Sequence, residues 1–420
     1  MNYYRSTDPV MLFRVLLLAL LLAAVPAWAQ KADLSRLVVV GDSLSAGFQN
    51  GSLLDSQQPH GYAKLLADQA RTDLALPLIA PPGFPNVLVL ESAGPPPVIA
   101  RAPGFSAGRD DITLQATNLA VPGQTVADAL VKRPDFPIDS LTDLVLGFPG
   151  LLGGVSRSQV EWAEALAPTT IVLWLGNNDA LGAAIAADTA FLTPVPDFES
   201  AYRQVIDRLA ATGATLVTAN IPDVTAVPFL TSADEVAARV GIPLEVIGPP
   251  LGIGPGDFVT PDAAPLIPSI LGGATPGPLP GNVVLDAGEV STIRAAVDAY
   301  NAFIARKARE YHAALVDIHG LIDWVSRRGL VVNGQRLTTE FLGGLFSLDG
   351  VHPTNTGYAV IANDFIRALD RRFDADIPPV NVEHVAKQDP LVPAGAGRPP
   401  HKEHIDVDTA RALRWTMLHH

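Results

Sequence analysis

Short runs of consecutive apolar residues alternate along this chain with longer stretches in which apolar residues recur every three or four positions. Leu37 to Val40 reads Leu-Val-Val-Val and stops at Gly41, and Ile171 to Leu175 reads Ile-Val-Leu-Trp-Leu and stops at Gly176. Thr215 to Ala219 stops at Asn220-Ile221-Pro222, and Ala314 to Ile318 stops at His319-Gly320. A weaker run, Thr113 to Ala120, stops near Pro122-Gly123. Runs of this length, rich in β-branched residues and bounded by turn residues, read as strands buried on both faces. Helical spacing fills the intervals. Ser156 to Leu166 carries Val160, Trp162, Ala163 and Leu166, and Glu199 to Thr212 carries Tyr202, Val205, Ile206 and Leu209 before Gly213. Ala287 to Tyr311 is long and periodic, and Thr356 to Phe373 repeats Val360, Ile361, Phe365 and Leu369. Strand and helix in alternation predict an α/β fold, a parallel sheet with helices on both faces.

Two stretches break the alternation. Seven prolines fall between Pro81 and Pro103, and eleven between Pro228 and Pro280. Neither carries a long strand or helix period, and both hold many apolar residues. They read as two Pro/Gly-rich insertions, about 80–112 and 225–285, folded as ordered loops on a single domain spanning 30–376. Residues 377–420 form a C-terminal tail with Pro378-Pro379, a Pro/Gly/Ala segment to Pro400 and a short helix-like end, Asp408 to Leu418. The tail is expected to be partly disordered or packed as an appendage.

Composition narrows the function. The 420 residues carry 29 Lys+Arg against 43 Asp+Glu, a formal charge of −14, which offers no basic footprint for nucleic acid. At 48% hydrophobic and 17% charged the chain is too apolar for global disorder. The absence of cysteine excludes disulfides, thiolate metal sites and a cysteine nucleophile. Arg5 and Arg14 precede an apolar run, Val15 to Val25, followed by Pro26 and Ala27-Trp28-Ala29. This is the layout of a secretory signal peptide, residues 1–29, cleaved after Ala29, so the chain is expected to be exported to the periplasm or medium. The run is shorter than the ~20 residues that span a bilayer, so no stable membrane span is expected after cleavage. An uncleaved anchor or a buried helix is the alternative.

The chemistry sits at the ends of the apolar runs, where open α/β sheets bind ligands. The first run delivers Gly41-Asp42-Ser43-Leu44. A serine there, at the start of a helix, suits a nucleophile whose reaction builds an oxyanion; the plainer reading is a helix N-cap. The second run ends in Gly176-Asn177-Asn178-Asp179, where a carboxamide can donate to an oxyanion or simply make an Asx turn. The weaker run ends in Pro122-Gly123, whose glycine can present a bare N–H or serve only as turn punctuation. Asp349-Gly350-Val351-His352 precedes the last helix, a spacing that lets the carboxylate orient the imidazole or make a solvated pair.

These four features, in this order, resemble the SGNH hydrolases, the GDSL lipase/esterase family. Gly41-Asp42-Ser43-Leu44 is similar to the first block, Gly123 to the second-block glycine, Gly176-Asn177-Asn178-Asp179 to Gly-x-Asn-Asp, and Asp349-Gly350-Val351-His352 to Asp-x-x-His. The likeness runs from about Leu37 to Arg372. It implies a three-layer α/β/α, flavodoxin-like fold. It implies catalytic Ser43, Asp349 and His352, an oxyanion hole of the Ser43 N–H, the Gly123 N–H and Asn178, and neither metal nor organic cofactor. The expected partner is a small-molecule or lipid ester, cleaved through a Ser43 acyl-enzyme. A non-catalytic binding protein on the same scaffold and an acyltransferase with the same nucleophile stand as alternatives.

Nine histidines compete for the role of base. His384, His401, His404, His419 and His420 lie in the tail, His312 lies near a helix end, and His60 precedes Gly61-Tyr62. His319 follows the fourth run and is the one rival, without a carboxylate at matching spacing. Trp174, inside a strand, belongs to the core. The apolar residues of the second insertion either line an acyl pocket or pack the insertion onto the core.

Overall fold

The computed structural model describes residues 31–393 except 93, 95 and 96. The expected signal segment, His401, His404 and the stretch Asp408 to Leu418 lie outside the described residues. Four parallel strands form the central sheet: β1 (Leu37–Gly41), β2 (Thr170–Trp174), β3 (Thr215–Ala219) and β4 (Ala314–Val316), hydrogen-bonded in the order β1-β2-β3-β4. Every residue of β1 and β2 is buried, as continuous apolar runs require. The weaker run contributes less than a full strand. Residues 117–121 run parallel to the free edge of β1, with Val39 N–H donating to Thr117 O, Leu119 N–H to Val39 O and Val121 N–H to Gly41 O. Thr117 and Asn118 N–H both turn the other way to Ala75 O, and among the described residues no further strand pairs with the segment. Counting it second in chain order gives 2-1-3-4-5, the flavodoxin-like order.

Local chemistry sets the element ends. The fourth strand is shorter than its apolar run because Asp317 caps a helix, Ile318–Arg328, by accepting from Gly320 N–H at 2.9 Å. Capping boxes at Ser158/Glu161 and Asp286/Glu289 start the helices Gln159–Ala165 and Ala287–Glu310. Thr354 caps Asn355–Phe373. Two helix layers cover the sheet, and each has its own aromatic cluster. Trp174 of β2 meets Tyr62 and Phe365, whose rings stack 4.4 Å apart. Phe198, from the helix Val195–Ala211, stacks on Tyr300 of the helix Ala287–Glu310 at 4.0 Å. Trp174 is fully buried, as a core residue.

The insertions hold more regular structure than a loop reading expects. The first carries an antiparallel hairpin, Leu88–Ser92 with Val98–Arg101. The second builds a small unit with helices Ala233–Val240, Leu244–Leu251 and Leu266–Leu271 and three two-residue strands in one antiparallel sheet. Its core is separate and contains Val236, Ile247, Leu251, Val259 and Ile267. These helices are eight residues or fewer and start or stop at prolines and glycines, too short to show a period in the sequence. Past residue 376 the chain stays packed. Val380 exchanges hydrogen bonds with Asn363, and a helix Val382–Gln388 follows. Among the described residues no helix is long and apolar enough to cross a membrane, and no group of three His, Asp or Glu is placed to hold a metal.

Candidate active site

β1 and β2 are in register, Gly41 opposite Trp174, so the loops that leave them emerge side by side. Gly41 is there because a Cβ would stand 2.3 Å from Ser45 Oγ and 3.0 Å from Trp174 O. The residue after it, Asp42, caps the short helix Ser43–Ala46 by accepting from Leu44 N–H at 3.1 Å. The cap is therefore Asp42 and not Ser43, whose side chain is left for other work; Ser43 is 5% exposed. Asn177 Nδ2 donates to the second Asp42 oxygen at 2.7 Å and ties the two loops together. Burial pushes the Asp42 carboxyl up to about 6, against the pull of the Asn177 amide and the Leu44 N–H.

Asn178 opens the helix Asn178–Ala186, and its Nδ2 donates to Gln124 O at 2.9 Å. A carboxamide carries two N–H bonds, so one is left to donate elsewhere. Gln124 belongs to a tight turn with Val121 O as acceptor at 3.3 Å and Pro122-Gly123 at the centre. Gly123 has φ of 84°, the left-handed value that a type II turn demands at that position. The turn is pinned from two sides. Asp179 Oδ2 accepts from Val126 N–H at 3.0 Å. Gln159 Nε2 donates to Gln124 Oε1 while its own Oε1 accepts from Gly41 N–H at 3.0 Å. Burial pushes the Asp179 carboxyl up to about 7, opposed by the Val126 N–H and Thr193.

On the other side, Asp349 Oδ2 faces His352 Nδ1 at 3.0 Å, and both residues are buried. Asp349 Oδ1 accepts from the N–H groups of Val351 and His352, and Oδ2 also accepts from Gly51 N–H at 2.7 Å. Burial alone would push this carboxyl up; its interaction with the His352 imidazole and the hydrogen bonds from His352 and Val351 outweigh it and hold it below the ordinary carboxylate value. His352 Nε2 is buried and has no hydrogen-bond partner among the described residues. The imidazole packs on Phe48 with ring centroids 4.7 Å apart, and Phe48 N–H donates to Ser43 O at 3.0 Å. Phe48 thus touches the imidazole with its ring and the Ser43 carbonyl with its backbone N–H. Ser43 and Asn178 follow the carboxyl ends of β1 and β2, Gly123 lies in the turn that Asn178 bonds through Gln124 O, and the Asp349–His352 pair lies against Phe48.

A family model for the GDSL-like lipases/acylhydrolases matches residues 37–365. The chain belongs to that family. It is an ester-hydrolysing serine hydrolase. No curated protein matches this GDSL-like chain. Among solved structures, an α/β hydrolase enzyme from the metagenome of Lake Arreo, Spain, is 16% identical with a TM-score of 0.38, over 80% of this chain and 96% of that one. A variant of an acetyl-xylooligosaccharide esterase from Geobacillus is 12% identical with a TM-score of 0.38, over 81% and 96%. The psychrotrophic esterase EstA from Pseudoalteromonas sp. is 13% identical with a TM-score of 0.35, over 81% and 99%.

His319, the rival base, pairs through Nδ1 with Ile221 O at 3.0 Å. His60 is half-buried, and burial lowers its basicity against the pull of Asp389. Several site-building residues escaped the sequence reading. Asp42, Asn177 and Asp179 lie within its motifs and could have been weighed as scaffold. Gln159, Asn50 and Ser347 give no local signal. Asn50 Oδ1 accepts from Leu348 N–H and Asn50 N–H donates to Ser347 Oγ, holding the Asp349 turn across 298 and 297 positions of sequence.

Proposed function

We propose that the GDSL-like hydrolase cleaves carboxylic esters through an acyl-enzyme on Ser43. The observation that carries this is the buried Asp349–His352 pair at 3.0 Å, with the far imidazole nitrogen unpartnered and the ring leaning on Phe48 beside Ser43. His352 Nε2 takes the Ser43 proton as Oγ attacks the acyl carbonyl. Asp349 holds the imidazole through Nδ1 and stabilises its cationic form. The Ser43 and Gly123 N–H groups and the second N–H of the Asn178 amide receive the oxyanion. The proton passes from His352 to the leaving alcohol, and water, with His352 again as base, releases the acid. The layout of residues 1–29 supports export of a mature chain whose catalytic domain runs to about residue 376. The substrate is a small-molecule or lipid ester.

The test is turnover of p-nitrophenyl esters of increasing acyl length by the purified protein, beside Ser43→Ala. The expected result is a fall of at least about 10³-fold in kcat, together with loss of labelling by a serine-reactive phosphonate. Activity that survives Ser43→Ala would sink the mechanism.

A further inference from the structure

The triad acid is braced from the first insertion. The turn Asn50-Gly51 has both residues in the left-handed region, φ 52° and 65°, and it touches two things at once. On one side Gly51 N–H donates to Asp349 Oδ2. On the other it meets the hairpin, where Leu88 N–H donates to Asn50 O at 2.9 Å and Arg101 Nη1 approaches Gly51 O at 3.4 Å. Leu88 and Arg101 are cross-strand partners, so the hairpin grips the turn with one residue from each strand. Arg101 Nη1 also donates to Asn86 O. Arg101 Nη2 is buried with no hydrogen-bond partner among the described residues. A guanidinium is costly to bury unless an anion offsets it. The carboxylate in its field is Asp349, whose charge opposes the effect of burial on Arg101.

We propose that Arg101 is a positioning residue for the Asp349–His352 pair, a half-buried cation behind the Asn50-Gly51 turn whose field seats the Asp349 carboxylate against the imidazole. The inference rests on the catalytic reading of that pair. With His352 neutral the pair carries one buried negative charge, which Arg101 offsets. When the pair takes up a proton to become carboxylate and imidazolium, Arg101 repels the added charge. Arg101 therefore favours the proton-free pair, the form that can act as base. The other ionisable groups facing the pair are Asp42, from the loop after β1, and Tyr358, from the helix Asn355–Phe373. Asp42 acts in the opposite sense, since its charge favours the protonated pair. Phe48 packs on the ring without charge.

The experiment is the pH dependence of kcat/KM on p-nitrophenyl acetate for the wild type, Arg101→Met and Arg101→Lys, with thermal unfolding of each. Arg101→Met is expected to move the acid limb to higher pH by on the order of half a unit to one unit. Arg101→Lys, which keeps the charge, should return most of that shift. Should Arg101→Met not fold, Arg101→Gln, which keeps a donor for Asn86 O, carries the same comparison. A folded neutral variant with the wild-type acid limb overturns the proposal. So does an equal loss in the Lys and Met variants without a shift, since that reports only hairpin docking. Asp349→Asn separates the two levels. If it abolishes turnover while the Arg101 variants leave the limb in place, the triad stands and the role of Arg101 falls. If Asp349→Asn turns over like the wild type, both fall.

Discussion

Two asparagines in succession have different tasks, and the difference predicts different losses. Asn178 can offer its second amide N–H to the oxyanion, so Asn178→Ala should lower kcat by about 10²–10³-fold with little change in KM. Asn177 instead donates to Asp42, and Asn177→Ala would leave a buried carboxylate short of a donor. Its expected cost falls on folding, about 1–3 kcal/mol, read by denaturant unfolding. The buried acids make stability depend on pH. Asp42 and Asp179 have folded-state values raised above the unfolded value of 3.8, to about 6 and about 7. A raised value means the folded state holds the proton more tightly. The stability from these two groups is then complete below the unfolded value and is lost as pH rises through the folded values. Asp179→Asn keeps an oxygen for Val126 N–H and removes the charge. Calorimetry should find that it raises Tm more at about pH 8 than at about pH 5; an equal effect at both would contradict the account. Asp349 is shifted the other way, so its contribution is present at neutral pH and is lost on acidification through its folded value.

At the scale of elements, the strands and long helices were legible because their signals are local. A strand buried on both faces reads as unbroken apolar residues, and a helix of three or more turns repeats its apolar face. Capping residues then moved the ends by a few positions, as Asp317 does in cutting β4 short. The hairpin that carries Arg101 was not legible, because its residues are mostly half-buried or exposed, with Val89 and Val98 among the exposed ones. The three short helices of the second insertion were missed because so few turns carry no period. Phe365 tests the layer between the sheet and the helix Asn355–Phe373. It is fully buried between Tyr62 and Trp174, so Phe365→Ala should cost about 3–5 kcal/mol of unfolding free energy.

For the whole molecule, the family match ends at residue 365, yet the packed chain continues to residue 393. Asp389 Oδ2 accepts from both the N–H and the hydroxyl of Thr356 at 2.8 Å, at the start of the helix that follows His352. Ile377 and Val380 join the main core. A chain ending at residue 376 is therefore expected to lose at least about 4 kcal/mol of stability, from two apolar side chains and several hydrogen bonds. Thermal unfolding reads this directly, and an unchanged Tm would show that the segment is dispensable.

The sequence alone determined which stretches become buried strands and which residues capable of nucleophilic and base chemistry stand at their ends, because apolar run length and turn residues are written in consecutive positions. It also carried enough of four separated motifs to resemble the family to which the chain belongs. Only the tertiary structure decided what holds those residues in place. Gln159 beneath the Gly123 turn, Asn50 against the Asp349 turn, Asp389 on Thr356 and Arg101 behind Gly51 act across tens to hundreds of positions. Such contacts leave no local pattern, since a side-chain hydrogen bond depends on distance in space and not on spacing along the chain.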